Sequence, residues 1–419
     1  MQNNKQPWFP TGTSSARANM SLHAAILRVQ EAAEVSNDAN DPSKHAKVLE
    51  EIHNLQLAAE KPEESVMRLR WQFLASSCIR WAIEYGILQI LAEVSGSPVT
   101  AEELAKKTGA DELLIVRIMR LVTYNGVCEE SGHGIYMANE KTLFLAKPAI
   151  LGGFAHIFDF GFKTVQAVPD LIRESRVHQF PEGPNQNSPI QHAFGDTMFG
   201  VLAKDPRRKK IFDDYMSARR YSQEPKWFEI FPVRKHIAAT PECGDTDVLL
   251  VDVGGGKGHD IASFKENFSD LPGKLILQDL PQTFASLQEK PNGIELMEHD
   301  FFKEQPVKGA RLYFLRSILH DWSDDKCILI LRQLAAALDF GYSRIIIEDF
   351  VVADTNVDWL TTSLDLCMWL FFSGIERTYA QWQKLFSEAQ LEIVKAWSTP
   401  MSRTSVIEVR KRHANVDQY

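Results

Sequence analysis

Hydrophobic positions along the chain change their period as it runs. From Ser21 to about Ala59, "LHAAILRVQEAAEV" and "HAKVLEEIHNLQLAAE" place apolar residues three and four apart, with "SNDANDPS" between them. That spacing predicts two amphipathic helices. So much helix ahead of any strand points to packing against another surface, such as a second copy of the chain. Between Ser97 and Ala146, Thr100 followed by Glu103 forms a capping box, and Gly109 supplies a helix stop. A second helix is expected from Asp111 to about Asn125, then two short β segments around "ESGHG". Helix, turn, helix and β-wing predict a winged-helix module. Residues 150–240 read as mostly helical and aromatic, as in "FAHIFDFGF" and "KWFEIF". Such a stripe is core more often than cofactor box, though part of it can roof a pocket for a flat substrate.

From about Asp247 the period shortens. "VLLVDV", "KLILQDL", "IELMEHD", "ARLYFLRSIL" and "SRIIIEDFVV" are apolar runs rich in β-branched residues, and "EIVKAWST" and "TSVIEVRKR" add two more. Near-continuous apolar strands alternating with helices predict an α/β domain with a mostly parallel, seven-stranded sheet covered on both faces. Ligands of such sheets bind at the carboxyl ends of the strands. The expected organisation is a helical, partly loose arm over residues 1–64, the winged-helix domain over 65–150, a helical region over 151–240 and the sheet domain over 241–419.

Composition narrows the possible partners. With 44% hydrophobic residues in 419, the chain can bury a sizeable core and form two or three domains. A formal net charge of −9 argues against nucleic acid, because phosphate binding needs a basic face. The second helix of the winged-helix segment offers Arg117 and Arg120 among apolar neighbours, so dimerisation suits it better than DNA. "KDPRRKK" reads as a solvated helix face. Cys78, Cys128, Cys243, Cys327 and Cys367 are widely spaced without a C-x-x-C pair. They suggest neither a disulfide framework nor a zinc site, and they fit a reducing compartment. No secretory signal and no run of the ~20 apolar residues that a membrane span needs can be read. The expectation is a cytoplasmic protein without a membrane partner.

The chemistry concentrates at strand ends. "DVGGGKGHD" places glycines at Gly254, Gly255, Gly256 and Gly258, where the backbone can turn tightly and approach a ligand. The dinucleotide pattern G-x-G-x-x-G fails, because His259 stands where its last glycine belongs, and no phosphate loop is present. Asp279 ends the second strand, where a carboxylate can accept both ribose hydroxyls of a nucleoside. "EHDFF" ends the third, with Asp300 suited to an adenine amino group and Phe301 to its ring. A glycine cluster alone is weak; the ordered series of Gly, Asp and Asp-Phe is specific.

In combination, "LLVDVGGGKGHD", "LQDLP", "EHDFF", "FLRSILHDWSDDKC" and "GIERT" resemble the motifs of S-adenosylmethionine-dependent O-methyltransferases. The similarity is to the metal-independent, caffeate-like class, and within it to fungal enzymes of secondary metabolism of the sterigmatocystin type. It extends over about residues 65–410. It implies a Rossmann-like catalytic domain, an N-terminal winged helix used for homodimerisation, S-adenosylmethionine as cofactor and a small aromatic acceptor. By that resemblance Gly254 and Gly255 contact the methionine part of the cofactor, Gly256 shapes the loop, Asp279 holds the ribose, and Asp300 and Phe301 hold the adenine. Arg316, counted with the cofactor-binding residues, stands where plant members usually have lysine, keeping the charge but changing the geometry. His320 falls on the general base, Glu348 and Glu376 on the acids flanking it, and Met216 and Met368 on the acceptor pocket. Taken alone, His320 reads as a capping or loop histidine; the matched acids make it a base. Asp324 and Asp325 are expected to cap the following helix, and no metal is called for. Some fungal relatives direct dehydration or pericyclic cyclisation with the bound sulfonium as a positive charge. Retention of His320, Glu348 and Glu376 together favours methyl transfer over that rival.

Overall fold

The computed structural model describes residues 21–36, 42–175, 188–220, 225–238, 244, 247–285, 287, 289–355, 357–399 and 402–412. The loose segment expected before residue 20 and Cys243 lie outside them. Two compact units divide the chain: residues 15–174 with 192–223, and residues 175–191 with 224–419 and the first 14.

The first unit opens with three helices, α1 (Leu22–Val35), α2 (Pro42–Ala59) and α3 (Pro62–Glu84). Ser21 caps α1 by accepting the Ala24 N–H at 3.3 Å, which offsets one of the unpaired donors of the first turn. Between α2 and α3, Glu60 accepts two bonds from Arg68, at 2.6 and 3.0 Å. Leu27, Ile52, Val66, Leu69, Trp71 and Phe73 are exposed on these helices. The winged helix follows as expected. Thr100 Oγ1 accepts the Glu103 N–H at 3.1 Å, and Glu103 accepts the Thr100 N–H at 2.8 Å. Gly109 ends that helix at φ +72°, a left-handed angle that costs glycine little. The helix Glu112–Tyr124 buries Ile115, Ile118, Met119 and Val122. Strands β1 (Val99–Thr100), β2 (Glu129–Gly132) and β3 (Ile135–Met137) form a small sheet in the order β1-β3-β2.

The second unit carries β4 (Val248–Val253), β5 (Lys274–Asp279), β6 (Glu295–Glu298), β7 (Leu312–Arg316), β8 (Arg344–Asp349), β9 (Leu391–Trp397) and β10 (Ser405–Lys411). They form the seven-stranded sheet expected, in the order β6-β5-β4-β7-β8-β10-β9. β10 runs antiparallel to both neighbours, and the pairs from β6 to β8 are parallel. One face packs on Leu331, Leu334, Trp382 and Phe386. The other packs on Trp227, Phe228, Phe231 and Phe264, with Trp227 stacked on Phe314 at 4.6 Å between ring centroids. The aromatic "KWFEIF" therefore serves as sheet core, where burying rings of that size contributes strongly to stability. The strand order reverses at β4, so the loops after β4 and β7 diverge and leave a crevice at the carboxyl edge. No described helix is long and apolar enough to cross a membrane.

Candidate active site

Glycine geometry shapes the crevice. Gly254 has φ +70°, and a Cβ there would stand 2.9 Å from Ile318 and 3.5 Å from Phe301. At Gly255 a Cβ would come within 2.5 Å of both Asp252 and Leu277. Side chains at these two positions would collide with neighbouring protein groups, so glycine is what lets the loop pack this closely. The Gly254 and Gly255 N–H groups donate to the Gln278 carbonyl, at 2.8 and 3.2 Å. Gly256 donates to Asp279 Oδ2 at 2.8 Å, while Asp279 Oδ1 accepts from Leu280 N–H at 2.7 Å. Each carboxylate oxygen keeps a further lone pair for a ligand hydroxyl. Asp300 Oδ1 accepts the Phe302 N–H at 3.0 Å. Phe301 stands edge-on to Phe302 and Trp322, at centroid distances of 4.9 and 6.0 Å. The predicted glycines, Asp279, Asp300 and Phe301 thus line one sheet edge. A group bearing a diol and a flat ring fits this arrangement.

Beneath the loop, Asp252 is almost fully buried and its Oδ2 has no hydrogen-bond partner. Burial, then the nearby charges of Asp260 and Asp279, push its carboxyl well above the usual carboxylate range.

At the end of β7, Arg316 points its guanidinium at protein carboxylates. Nη1 lies 2.7 Å from Asp260 Oδ1, and Nε 3.3 Å from Glu348 Oε2. The next residue, Ser317, takes φ +49°. This uncommon angle for a side-chain-bearing residue turns the chain sharply off the strand. The short helix Leu319–Asp321 follows and carries His320.

His320 Nδ1 lies 3.0 Å from Glu376 Oε1 and 3.4 Å from Asp349 Oδ1, and Nε2 lies 3.6 Å from Asp321 Oδ1. One of the two acids named from sequence is therefore displaced by its neighbour. Glu348 does not face the ring; it accepts from Thr404 Oγ1 at 3.1 Å and pairs with Arg316. Successive strand side chains point to opposite faces, so Asp349 occupies the place assigned to Glu348. Sequence reasoning missed Asp349 although it stands in the same "IIIEDF". Asp365 Oδ1 accepts the Glu376 N–H at 2.9 Å and fixes that segment.

Burial opposes charge on the ring, but Asp349, the hydrogen-bonded Glu376 and Asp321 outweigh it and push His320 up to about 10. Burial raises Asp349 to about 7 and Asp321 to about 6. His320, Asp349 and Glu376 each offer a ligand atom within 4.8 Å of the others, a spacing a cation could use. The direct 3.0 Å contact between Nδ1 and Oε1 places a proton between those two atoms instead.

The two methionines fall in different units. Met368 is half-buried on the helix Trp359–Phe372, one turn after Asp365, and Met216 is half-buried on Pro206–Arg220.

The match to known proteins agrees with this edge. Residues 177–392 match the model of the O-methyltransferase domain, and residues 67–146 that of the O-methyltransferase dimerisation domain. The chain belongs to the S-adenosylmethionine-dependent O-methyltransferases. Demethylsterigmatocystin 6-O-methyltransferase of Aspergillus flavus is 35% identical over 82% of this chain and 87% of its own. Among solved structures, one titled a pericyclic reaction enzyme superposes with a TM-score of 0.77 at 29% identity, covering 94% of this chain and 99% of that one. OxaC in complex with S-adenosylhomocysteine and oxaline gives 0.79 at 25%, covering 93% and 99%. This O-methyltransferase thus shares its cofactor, S-adenosylmethionine, with the family, and its relatives place it in fungal secondary metabolism.

Proposed function

We propose that the enzyme methylates a phenolic or enolic hydroxyl of a small aromatic secondary metabolite, with His320 as general base. The observation that carries this reading is the imidazole at the sheet's carboxyl edge with its Nδ1 held by Glu376 and Asp349. Gly254, Gly255, Gly256, Asp279, Asp300 and Phe301 hold the cofactor, which supplies a methyl group already activated on a sulfonium. With Nδ1–H donated to Glu376, Nε2 is the atom left to take the hydroxyl proton. A phenol ionises near ~10 and an ordinary histidine near ~6.5, so that transfer is normally uphill. Carboxylates that raise the ring to about 10 bring it level with the phenol. The cost is that little of the ring is neutral at pH 7. Arg316, held by Asp260 and Glu348, supports the cofactor edge by fixing the end of β7 against the helix His259–Asn267. Met368, on the helix Trp359–Phe372, lines the acceptor's place. The buried thiols of Cys78, Cys128 and Cys327 suit a cytoplasmic setting.

A panel of hydroxylated polyketides, beginning with demethylsterigmatocystin, incubated with methyl-labelled cofactor tests this reading. Labelled product supports it. Conversion without label would favour the cyclisation or dehydration reading, which the likeness to a pericyclic reaction enzyme keeps in view.

The assignment of Asp349 is separable from that of Glu348. Asp349→Asn and Glu376→Gln are each expected to lower methyl transfer on the order of 10²-fold, with Glu348→Gln within a few-fold of wild type. Rates for the three variants at saturating cofactor decide it; the reverse ranking would restore Glu348.

A homodimer formed through the exposed apolar residues of the helices before residue 60 and through the winged-helix segment belongs to the same reading. A chain beginning at Lys61 is expected to lose dimerisation or to precipitate. Light scattering that shows active monomers at high concentration would remove this interface.

A further inference from the structure

We infer that Arg377 is a positioning residue for methyl transfer: its buried guanidinium clamps both ends of the turn that carries His320. The inference rests on the reading of His320 as base. Arg377 is fully buried, and its charge is spent on that turn. Nη1 donates to the Leu319 carbonyl at 2.8 Å, and Nη2 to the Trp322 carbonyl at 2.8 Å. Nε and Nη2 reach Asp324 Oδ1 at 3.0 and 2.8 Å, at the start of the next helix. The guanidinium also lies over the Trp382 ring, 5.4 Å from its centroid. Only a planar fork can serve two diverging carbonyls and a carboxylate at once.

The turn needs such a clamp. Its helix is three residues long, and the Leu319 carbonyl accepts a long bond from the Trp322 N–H within it, at 3.3 Å, the poorer geometry of so tight a turn. Of the two carbonyls between those that Arg377 holds, that of His320 accepts the Ile375 N–H at 2.9 Å. Gly374 makes that approach possible, since a Cβ there would stand 2.4 Å from the His320 oxygen. Glu376 of the same strap holds the ring at Nδ1. Residues 374–377 therefore fix the base at its backbone and at its side chain together. A shift of the turn would move Nε2 away from the acceptor oxygen, while Asp279 keeps its own bonds to the Gly256 and Leu280 N–H groups.

Arg377→Lys and Gly374→Ala test this, the second reaching the same turn should the first fold poorly. Calorimetry with S-adenosylhomocysteine, NMR titration of the His320 ring, and kcat and KM for an acceptor from the panel are the readouts. Expected are a cofactor affinity within about twofold of wild type, a lower titration midpoint for His320, and a kcat reduced about 10- to 100-fold with little change in KM. Wild-type kcat and an unmoved His320 titration in both variants would overturn the inference. Loss of cofactor affinity in step with kcat would also overturn it, since that marks general disruption. A fully active His320→Ala would defeat the base assignment, whereas the titration of the ring still judges Arg377.

Discussion

Replacing His320 by alanine is expected to slow methyl transfer by about 10²–10⁴-fold while cofactor affinity stays at the wild-type level. The two effects separate because the residues assigned to the cofactor stand after β4, β5 and β6, whereas His320 stands after β7. His320→Gln keeps size and hydrogen bonding but cannot take a proton, so it should be nearly as slow. The pH dependence carries the sharper signature. A base acts only from its neutral form, and the ring is raised to about 10 by Asp349, Glu376 and Asp321 against the effect of burial. The wild-type rate should therefore climb with pH from neutrality towards about 10, and not level off just above ~6.5 as an unperturbed histidine would. The deficit of His320→Ala should shrink over the same range as the phenol ionises unaided. Wild-type activity of His320→Ala near pH 7, or a plateau from pH 7 upward, would dismiss this mechanism.

Asp279→Ala should weaken S-adenosylmethionine binding by roughly 100-fold or more. Hydrogen bonds to a charged group contribute about 1.5–3 kcal/mol each, and a lost pair would account for a change of that size. The structure adds a second source of loss. Asp279 also accepts the Gly256 N–H at 2.8 Å, so its removal frees the glycine loop as well as the ribose contacts. Asp279→Asn, which keeps one acceptor oxygen, should fall between the two. Calorimetric affinity unchanged in Asp279→Ala would contradict the assignment; loss of the thermal transition would show instead that the residue holds the fold.

Much of the geometry at the sheet's carboxyl edge was legible in the sequence, because its signals are local. A glycine needed at φ +70° after a strand and an aspartate ending the next strand are each written in a few consecutive residues. The capping box at Thr100 and the stop at Gly109 are of the same kind. His320 was singled out by the matched motifs around it, since its own sequence context reads equally as a capping or loop histidine.

Contacts made at long range were not legible. Glu348 and Asp349 are adjacent, and choosing between them needs the phase of β8 relative to the ring. All of β8 beyond Arg344 is buried, so no alternation of apolar and polar residues reports that phase. Only the placement of His320 beside the strand decided for Asp349. Arg316 was placed at the cofactor site by its motif alone; the fold brings Asp260, 56 positions earlier, to its guanidinium. Arg377 gave no signal of burial, because a buried charge is expected only where partners converge, and its partners lie more than 50 positions upstream. The sequence by itself determined which residues form helices and strands and which strand ends carry glycines and carboxylates, since backbone preference and side-chain type are local properties. The tertiary structure decided which of two neighbouring carboxylates meets the imidazole and which cations are already paired, since those depend on how separate segments are brought together.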